Sequence, residues 1–236
     1  MIRKGQVGFA CVLSLAIVLS ATCSRPATQG ESASPPRDTL ANGFPREDAP
    51  RLRTWVTMWR EAIPGFEVDS LRREGRAPAF RGGDIQSLSD ATSWIDSSSI
   101  AVLGEQSPGD HYRLVFDGYQ DVSERDGKIE IGGEPDSAPW LFDLRLGSAN
   151  RFEFCGTSCL FDYGCWLDSL RFALAGWDGG DQGESLRGFI GIYSLADSTE
   201  TRFVTRTIPD ASREKYAAAY DKWVTARYWA WKASAK

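Results

Sequence analysis

The sequence predicts a mainly β protein: two blade-like antiparallel sheets, incomplete propeller-like or sandwich-like, flanked by an N-terminal and a C-terminal α-helix. Three observations predict it. Short alternating apolar runs recur from about residue 66 to residue 207, with Gly, Asp and Ser between them. A stripe of helical period precedes them, and an aromatic-rich helical segment follows. Many short strands at such spacing imply hairpins and meanders. With 42% hydrophobic and 12% aromatic residues in 236, the chain can fill one sizeable core.

The first helix lies in "APRLRTWVTMWREAIPG". Leu52, Trp55, Val56, Trp59 and Ile63 fall on one face, Pro50 suits the first turn, and Pro64-Gly65 stops it. The strands follow in "HYRLVFDGY", "KIEIGG", "WLFDLRL", "RFEF", "LRFALAG", "FIGIYSL" and "TRFVTR". The last helix is "PDASREKYAAAYDKWVTARYWAWKASAK", capped by Asp210 or Ser212. Tyr216, Ala219, Tyr220, Trp223, Val224, Ala226, Ala230 and Trp231 share an arc that packs on a sheet, and Trp229 points away. A sharper reading makes Lys222, Arg227, Lys232 and Lys236 the polar rim of a membrane-surface helix.

Two internal similarities run through the β region. "WIDSSSIAVLG" (Trp94 to Gly104) aligns on "WLDSLRFALAG" (Trp166 to Gly176), and "LFDLRLGSANRF" (Leu141 to Phe152) aligns on "IYSLADSTETRF" (Ile192 to Phe203). The two offsets differ, so the first copy carries an insertion within "DGYQDVSERDGKIEIGGEPDS" (Asp117 to Ser137). These motifs resemble blades of TolB-like and WD40-like β-propellers, which implies antiparallel meanders. Closed propellers have four or more blades. This chain has two, so the resemblance carries over no central-channel ligand site.

Ahead of the domain, residues 1–23 read as an export signal. Arg3 and Lys4 start it, and the apolar core Val7 to Leu19 is too short to span a bilayer comfortably. "LSATC" (Leu19 to Cys23) resembles a bacterial lipobox, although Leu19 stands four places before the Cys and Thr22 is adjacent to it. The resemblance implies acylation of Cys23, and Ser24 after it implies the outer membrane, facing the periplasm or the cell surface. Ordinary cleavage near Ala21 is the alternative, and it gives a secreted or periplasmic soluble protein. Residues 24–48 are polar and Pro/Ser-rich and are expected to form a disordered tether, with residues 49–236 as a single β-rich domain.

Chemistry is sparse. Net charge −5 gives no footprint for nucleic acid. The single histidine, His111, sits beside a turn and rules out a two-His zinc site within one chain. Export places Cys155, Cys159 and Cys165 in an oxidising compartment, where they are disulfide candidates. A Cys155–Cys165 bond would close the whole loop, a Cys155–Cys159 bond only its first turn, and one thiol is left over. An alternative copper set is Cys155, Cys159 and His111, which is similar to the ligands of some copper-delivery proteins. An alternative calcium set is Asp178, Asp181 and Glu184, although a calcium site needs six to eight oxygens. The turn-rich loop "IGGEPDSAPW" offers Glu134, Asp136 and Trp140 as contact residues. The function expected is therefore a non-enzymatic, membrane-tethered extracytoplasmic binding module. It is held by a lipid anchor, takes a protein or glycan partner, and needs no cofactor. The alternative is a copper- or thiol-redox protein using Cys155, Cys159 and His111.

Overall fold

The structure is a computed structural model that describes residues 38–80, 84–89, 97–179 and 185–235. The signal, Cys23, the tether up to residue 37, Trp94, Asp181, Glu184 and Lys236 lie outside the described residues.

The folded unit reaches further toward the N-terminus than residue 49. Thr39 and Pro45 form a β-bridge, and the Asn42 amide donates to the carbonyls of Val68 and Leu71 at 2.9 and 3.0 Å. Phe44 is fully buried, edge-on to Phe203 at 5.0 Å. The compact unit accordingly spans Arg37–Lys236. The polar composition of this stretch hid one aromatic anchor and the turn at Gly43 that aims it.

A 3-10 turn, Ala49–Leu52, leads into helix α1, Arg53–Ala62. Its expected stripe is buried: Leu52, Trp55, Val56 and Trp59, joined by Met58. The strands are β1 (Arg72–Pro78), β2 (Asp84–Ser87), β3 (Gly104–Gln106), β4 (Tyr112–Val115), β5 (Gln120–Arg125), β6 (Lys128–Gly133), β7 (Trp140–Asp143) and β8 (Ser148–Arg151). They continue with β9 (Cys159–Trp166), β10 (Arg171–Asp178), β11 (Ser185–Ser194), β12 (Thr199–Val204) and β13 (Ile208–Pro209). Helix α2 (Ser97–Val102) precedes β3, and helix α3 (Arg213–Ser234) closes the fold.

One sheet has the order β1-β12-β11-β10-β9, with β13 added to β11, and a second has the order β2-β8-β7-β4-β3. The strands of both pair antiparallel, and β5 with β6 makes a separate hairpin. Each larger sheet is a four-strand meander with an upstream strand added at its end, β1 beside β12 and β2 beside β8. The expected insertion is the β5–β6 hairpin, turned by Asp126-Gly127 with both residues at positive φ.

The downstream repeat is real to the residue. Trp140↔Arg151 in one sheet answers Gly191↔Arg202 in the other, and Asp143↔Ser148 answers Ser194↔Thr199. The turns agree as well, because Gly147 and Ser198 both have positive φ (62° and 53°) at the matching position. The upstream repeat is not real. "SSSIAV" forms helix α2, whereas the aligned "SLRFAL" (169–174) falls largely in strand β10. By pairing, Gly104 corresponds to Gly164 and Val115 to Leu174. Apolar runs this short suit either element, and α2 takes its state from what it covers: Ile100 packs on Val115, Trp140, Phe142 and Ala149.

Helix α3 straps the parts together. Arg213 lies over the Trp177 ring of β10 at 4.7 Å, and Tyr216 reaches β9. Further along, Trp223 meets Phe116 at 6.0 Å, Arg227 donates to the Gly104 carbonyl at 3.0 Å, and Tyr228 and Lys232 contact Glu124 of β5. Trp229, expected to point away, is 40% exposed. Ser212 stands at the N-cap without a side-chain capping bond, and a 3-10 turn over Asp210–Ser212 starts the helix instead.

The β9–β10 pair carries a bulge at Ala175/Gly176, where a Cβ on Gly176 would stand 1.9 Å from the Leu160 carbonyl oxygen. The Gly176→Ala variant is expected to lose about 3 kcal/mol in urea unfolding. Gly75→Ala, whose Cβ meets nothing within 4 Å, should stay within about 0.5 kcal/mol of wild type. Equal losses in the two variants would contradict this β9–β10 register.

Candidate functional site

The residues singled out by sequence do not converge. Cys155 and Cys159 form a disulfide with a Cα–Cα distance of 5.8 Å, which pinches the first turn of the β8–β9 connection. Cys165 is left as a buried free thiol, and burial pushes its pKa up to about 12, far from a reactive thiolate. His111 is exposed in its turn. Among the described residues no group of three His, Cys, Asp or Glu is arranged to hold a metal ion, so Cys155, Cys159 and His111 make no copper site. Asp178 is engaged with Arg187, whose Nη2 lies at 2.9 Å, and the other two residues of the calcium set, Asp181 and Glu184, lie outside the described residues.

The loop at residues 131–140 keeps Glu134 exposed and Asp136 half-buried. Trp140 is 1% exposed, packed among Val115, Phe142 and Ala149, and is no surface anchor. Its indole fills the space over Gly118, where a Cβ would meet Trp140 Cδ1 at 2.4 Å. Of the four cations singled out for a membrane-surface helix, Lys222 is exposed, Lys236 lies outside the described residues, and the other two are engaged internally. Arg227 and Lys232 are spent on the Gly104 carbonyl, Glu105 and Glu124 within the fold.

What the fold does open is a groove of about 860 Å³ between α1 and α3. Helix α1 supplies Arg53, Thr54, Thr57, Met58 and Glu61; helix α3 supplies Lys215, Ala218, Ala219, Lys222, Trp223 and Ala226. The volume falls in the range of small-ligand sites. Alanines and threonines line it because two helices carrying short side chains on these faces cannot fill the space between them. The floor is apolar, from Met58, Ala218, Ala219 and the half-buried Trp223. Arg53, Lys215 and Lys222 stand exposed on the rim, a local excess of positive charge on an acidic protein.

The undersides of the same helices close on a buried polar cluster. Tyr216 donates a 2.6 Å hydrogen bond to Asp162 Oδ2 on β9, and Trp59 packs on the Tyr216 ring at 4.6 Å. Asp162 Oδ1 has no hydrogen-bond partner among the described residues. Ser137 donates to Asp117 Oδ2 at 2.6 Å and accepts from the Phe161 N–H at 2.9 Å, which sets Asp117 beside Asp162. Tyr220 donates to Gln120 at 2.8 Å.

Burial raises the Asp117 pKa to about 7, against the pull of the Ser137 and Tyr119 hydrogen bonds. Burial also lifts Asp162 well above the usual carboxylate range, and the charge of Asp117 adds to that. Burial, together with the Asp162 carboxyl, keeps the Tyr216 hydroxyl protonated. Asp117, Ser137 and Asp162 are at most 1% exposed, so this cluster has no access for a substrate and acts as the seat of the helices.

Sequence reasoning missed both the groove and its seat. The run Ala217 to Ala219 signalled only helix propensity and packing. Asp162, between Phe161 and Tyr163 in an alternating strand, was the one visible anomaly: an acid amid aromatics in a run that becomes fully buried. Compared with family models, curated proteins and solved structures, the chain finds no match in any of the three.

A carboxyl whose pKa is raised by folding contributes stability that is complete below its unfolded value, near 4, and lost as pH rises through the folded value. For Asp117 that window runs from about pH 4 to about pH 7. Denaturant stability should therefore fall between pH 5 and pH 8, by about 2–3 kcal/mol from Asp117 and further from Asp162, whose pKa is raised in the same direction, and Asp117→Asn should make the decline shallower by the Asp117 share. An unchanged profile in the variant would place the titrating group elsewhere.

Proposed function

We propose that this chain is a membrane-tethered extracytoplasmic binding module, non-enzymatic, whose working surface is the groove between α1 and α3. The observation that carries the reading is the groove itself: an open apolar floor with a basic rim, held on a rigid seat. The charged signal start at Arg3 and Lys4, the lipobox-like "LSATC" and the polar segment after Cys23 support the tether. The two meanders, which resemble propeller blades, serve as scaffold. Among the described residues no helix is long and apolar enough to cross a membrane, so in this reading attachment comes from the acylated Cys23.

In this reading the Cys155–Cys159 disulfide is a staple on the β8–β9 connection, away from the working surface. The occupant enters from the open side of the groove, against Met58 and Trp223, with its charge toward the rim.

Two measurements test the proposal. Cells given radiolabelled palmitate should label the full chain, and Cys23→Ser should abolish both the label and sedimentation with membranes. Native mass spectrometry of protein extracted from those membranes should show an adduct that Ala219→Trp, which fills the groove, removes. Trp229→Ala, outside the groove, should keep that adduct. Equal occupancy in the two variants, or palmitate-free membrane association, would contradict the reading.

A further inference from the structure

The charge around the groove is unevenly placed, and the direction of the helices shows how. Trp59 of α1 meets Tyr216 of α3, whereas Tyr163 bonds the Arg51 carbonyl at 2.8 Å and meets Trp223 at 5.7 Å. Moving from Arg51 to Trp59 along one helix thus corresponds to moving from Trp223 back to Tyr216 along the other. The helices are antiparallel. Arg53 therefore stands at the level of Lys222, and Glu61 at the level of Lys215.

One mouth of the groove consequently carries two cations, and the other carries a cation opposite a carboxylate. Arg53 and Lys222 join none of the ion pairs formed among the described residues. Between the mouths lie Met58, Ala218 and Ala219, with no charge. This is the complement of a molecule with one anionic head and one apolar chain.

We propose that the groove binds an anionic single-chain lipid, its phosphate or carboxylate head between Arg53 and Lys222 and its chain over Met58, Ala218 and Ala219. The assignment rests on the reading of the groove as the binding surface. An acidic protein helix fits the charge less well. A stripe of acids along a helix would run from the cationic mouth into Glu61, whereas a lipid places its only charge at the Arg53 end. The chain gains by removing apolar surface from water, at roughly 25 cal/mol per Å². The head gains from two cations that no carboxylate of the described fold neutralises.

The test uses the mature chain with Thr57→Cys carrying a polarity-sensitive fluorophore; Thr57 is exposed on the groove and Cys165 is buried away from the label. Dodecyl phosphate, dodecyl maltoside and dodecyltrimethylammonium are titrated below their micelle concentrations. Dodecyl phosphate should bind about tenfold or more tightly than either other amphiphile. Arg53→Glu and Lys222→Glu should each weaken it by about tenfold, and Lys215→Glu by less than roughly threefold. Circular dichroism of each variant confirms that the fold is retained. Equal binding of the three amphiphiles, or equal loss in Lys222→Glu and Lys215→Glu, overturns the lipid assignment. If only an acidic amphipathic peptide shifts the label, the lipid is wrong and the groove stands as a binding surface. If neither the amphiphiles nor the peptide shifts it, both readings fall.

Discussion

The hydrogen bond from Tyr216 to Asp162 is the contact on which the arrangement of this protein depends. Asp162 stands on a strand buried along most of its length, and its carboxyl has been taken entirely out of water. A bare carboxylate there would be costly, so the group needs a donor or a proton. Tyr216 supplies the donor from a helix that arrives last in the chain, 54 residues later. The need of one buried acid therefore dictates where the C-terminal helix must sit. Ser137 extends the same logic to Asp117 and to the hairpin insertion, because its hydroxyl bonds Asp117 and the backbone next to Asp162 together.

Once Tyr216 is seated, the rest of α3 follows along its length. Tyr220 meets Gln120, Trp223 meets Phe116, Arg227 meets the Gly104 carbonyl, and Tyr228 and Lys232 both meet Glu124. Helix α1 is seated beside it in a similar way, with Trp59 pressed against the backbone at Gly188, where a Cβ would approach its ring to 2.6 Å. Large aromatic side chains thus fix both helices from below. Their upper faces carry Thr54, Thr57, Ala218, Ala219 and Ala226, which are too small to meet across the gap. The groove is the space that remains when two helices are held by their undersides and trimmed on their upper faces. Its position is rigid because its seat is buried, and its polarity comes from the order of charges along two antiparallel helices.

Much of this fold was legible. The α3 arc took in Ala226 and Ala230, which are exposed, and left out Tyr228, which is buried; its Tyr216, Tyr220 and Val224, the stripe from Leu52 to Trp59, the hairpin insertion and the β7–β8 and β11–β12 correspondence were readable from period and spacing. In each case local pattern and tertiary environment agree. Legibility failed where they part. "SSSIAV" has the apolar spacing of either a strand or a short helix, and the sheet face it covers decides the matter. Trp140 could be read as the end of a turn-rich loop or the start of the strand "WLFDLRL", and Gly118 opposite decides for the core by leaving room for its ring. Phe44 looked like part of a tether because its neighbours are polar. The candidate site was hardest to read, since a groove is defined by what two helices fail to fill, and alanine reads as packing in any one helix. The cysteines drew attention by their chemistry and proved to be a local staple and an inert buried thiol.

In the function proposed, α1 and α3 form the binding surface while the β-sheets and their loops serve as scaffold. Backbone amide shifts of the ¹⁵N-labelled mature protein, titrated with dodecyl phosphate, separate those two roles. Perturbations should concentrate in residues 53–61 and 215–226, with the loop at residues 131–140 and the Cys155–Cys159 turn unmoved. Perturbations centred on those loops, with both helices silent, would overturn that division of roles.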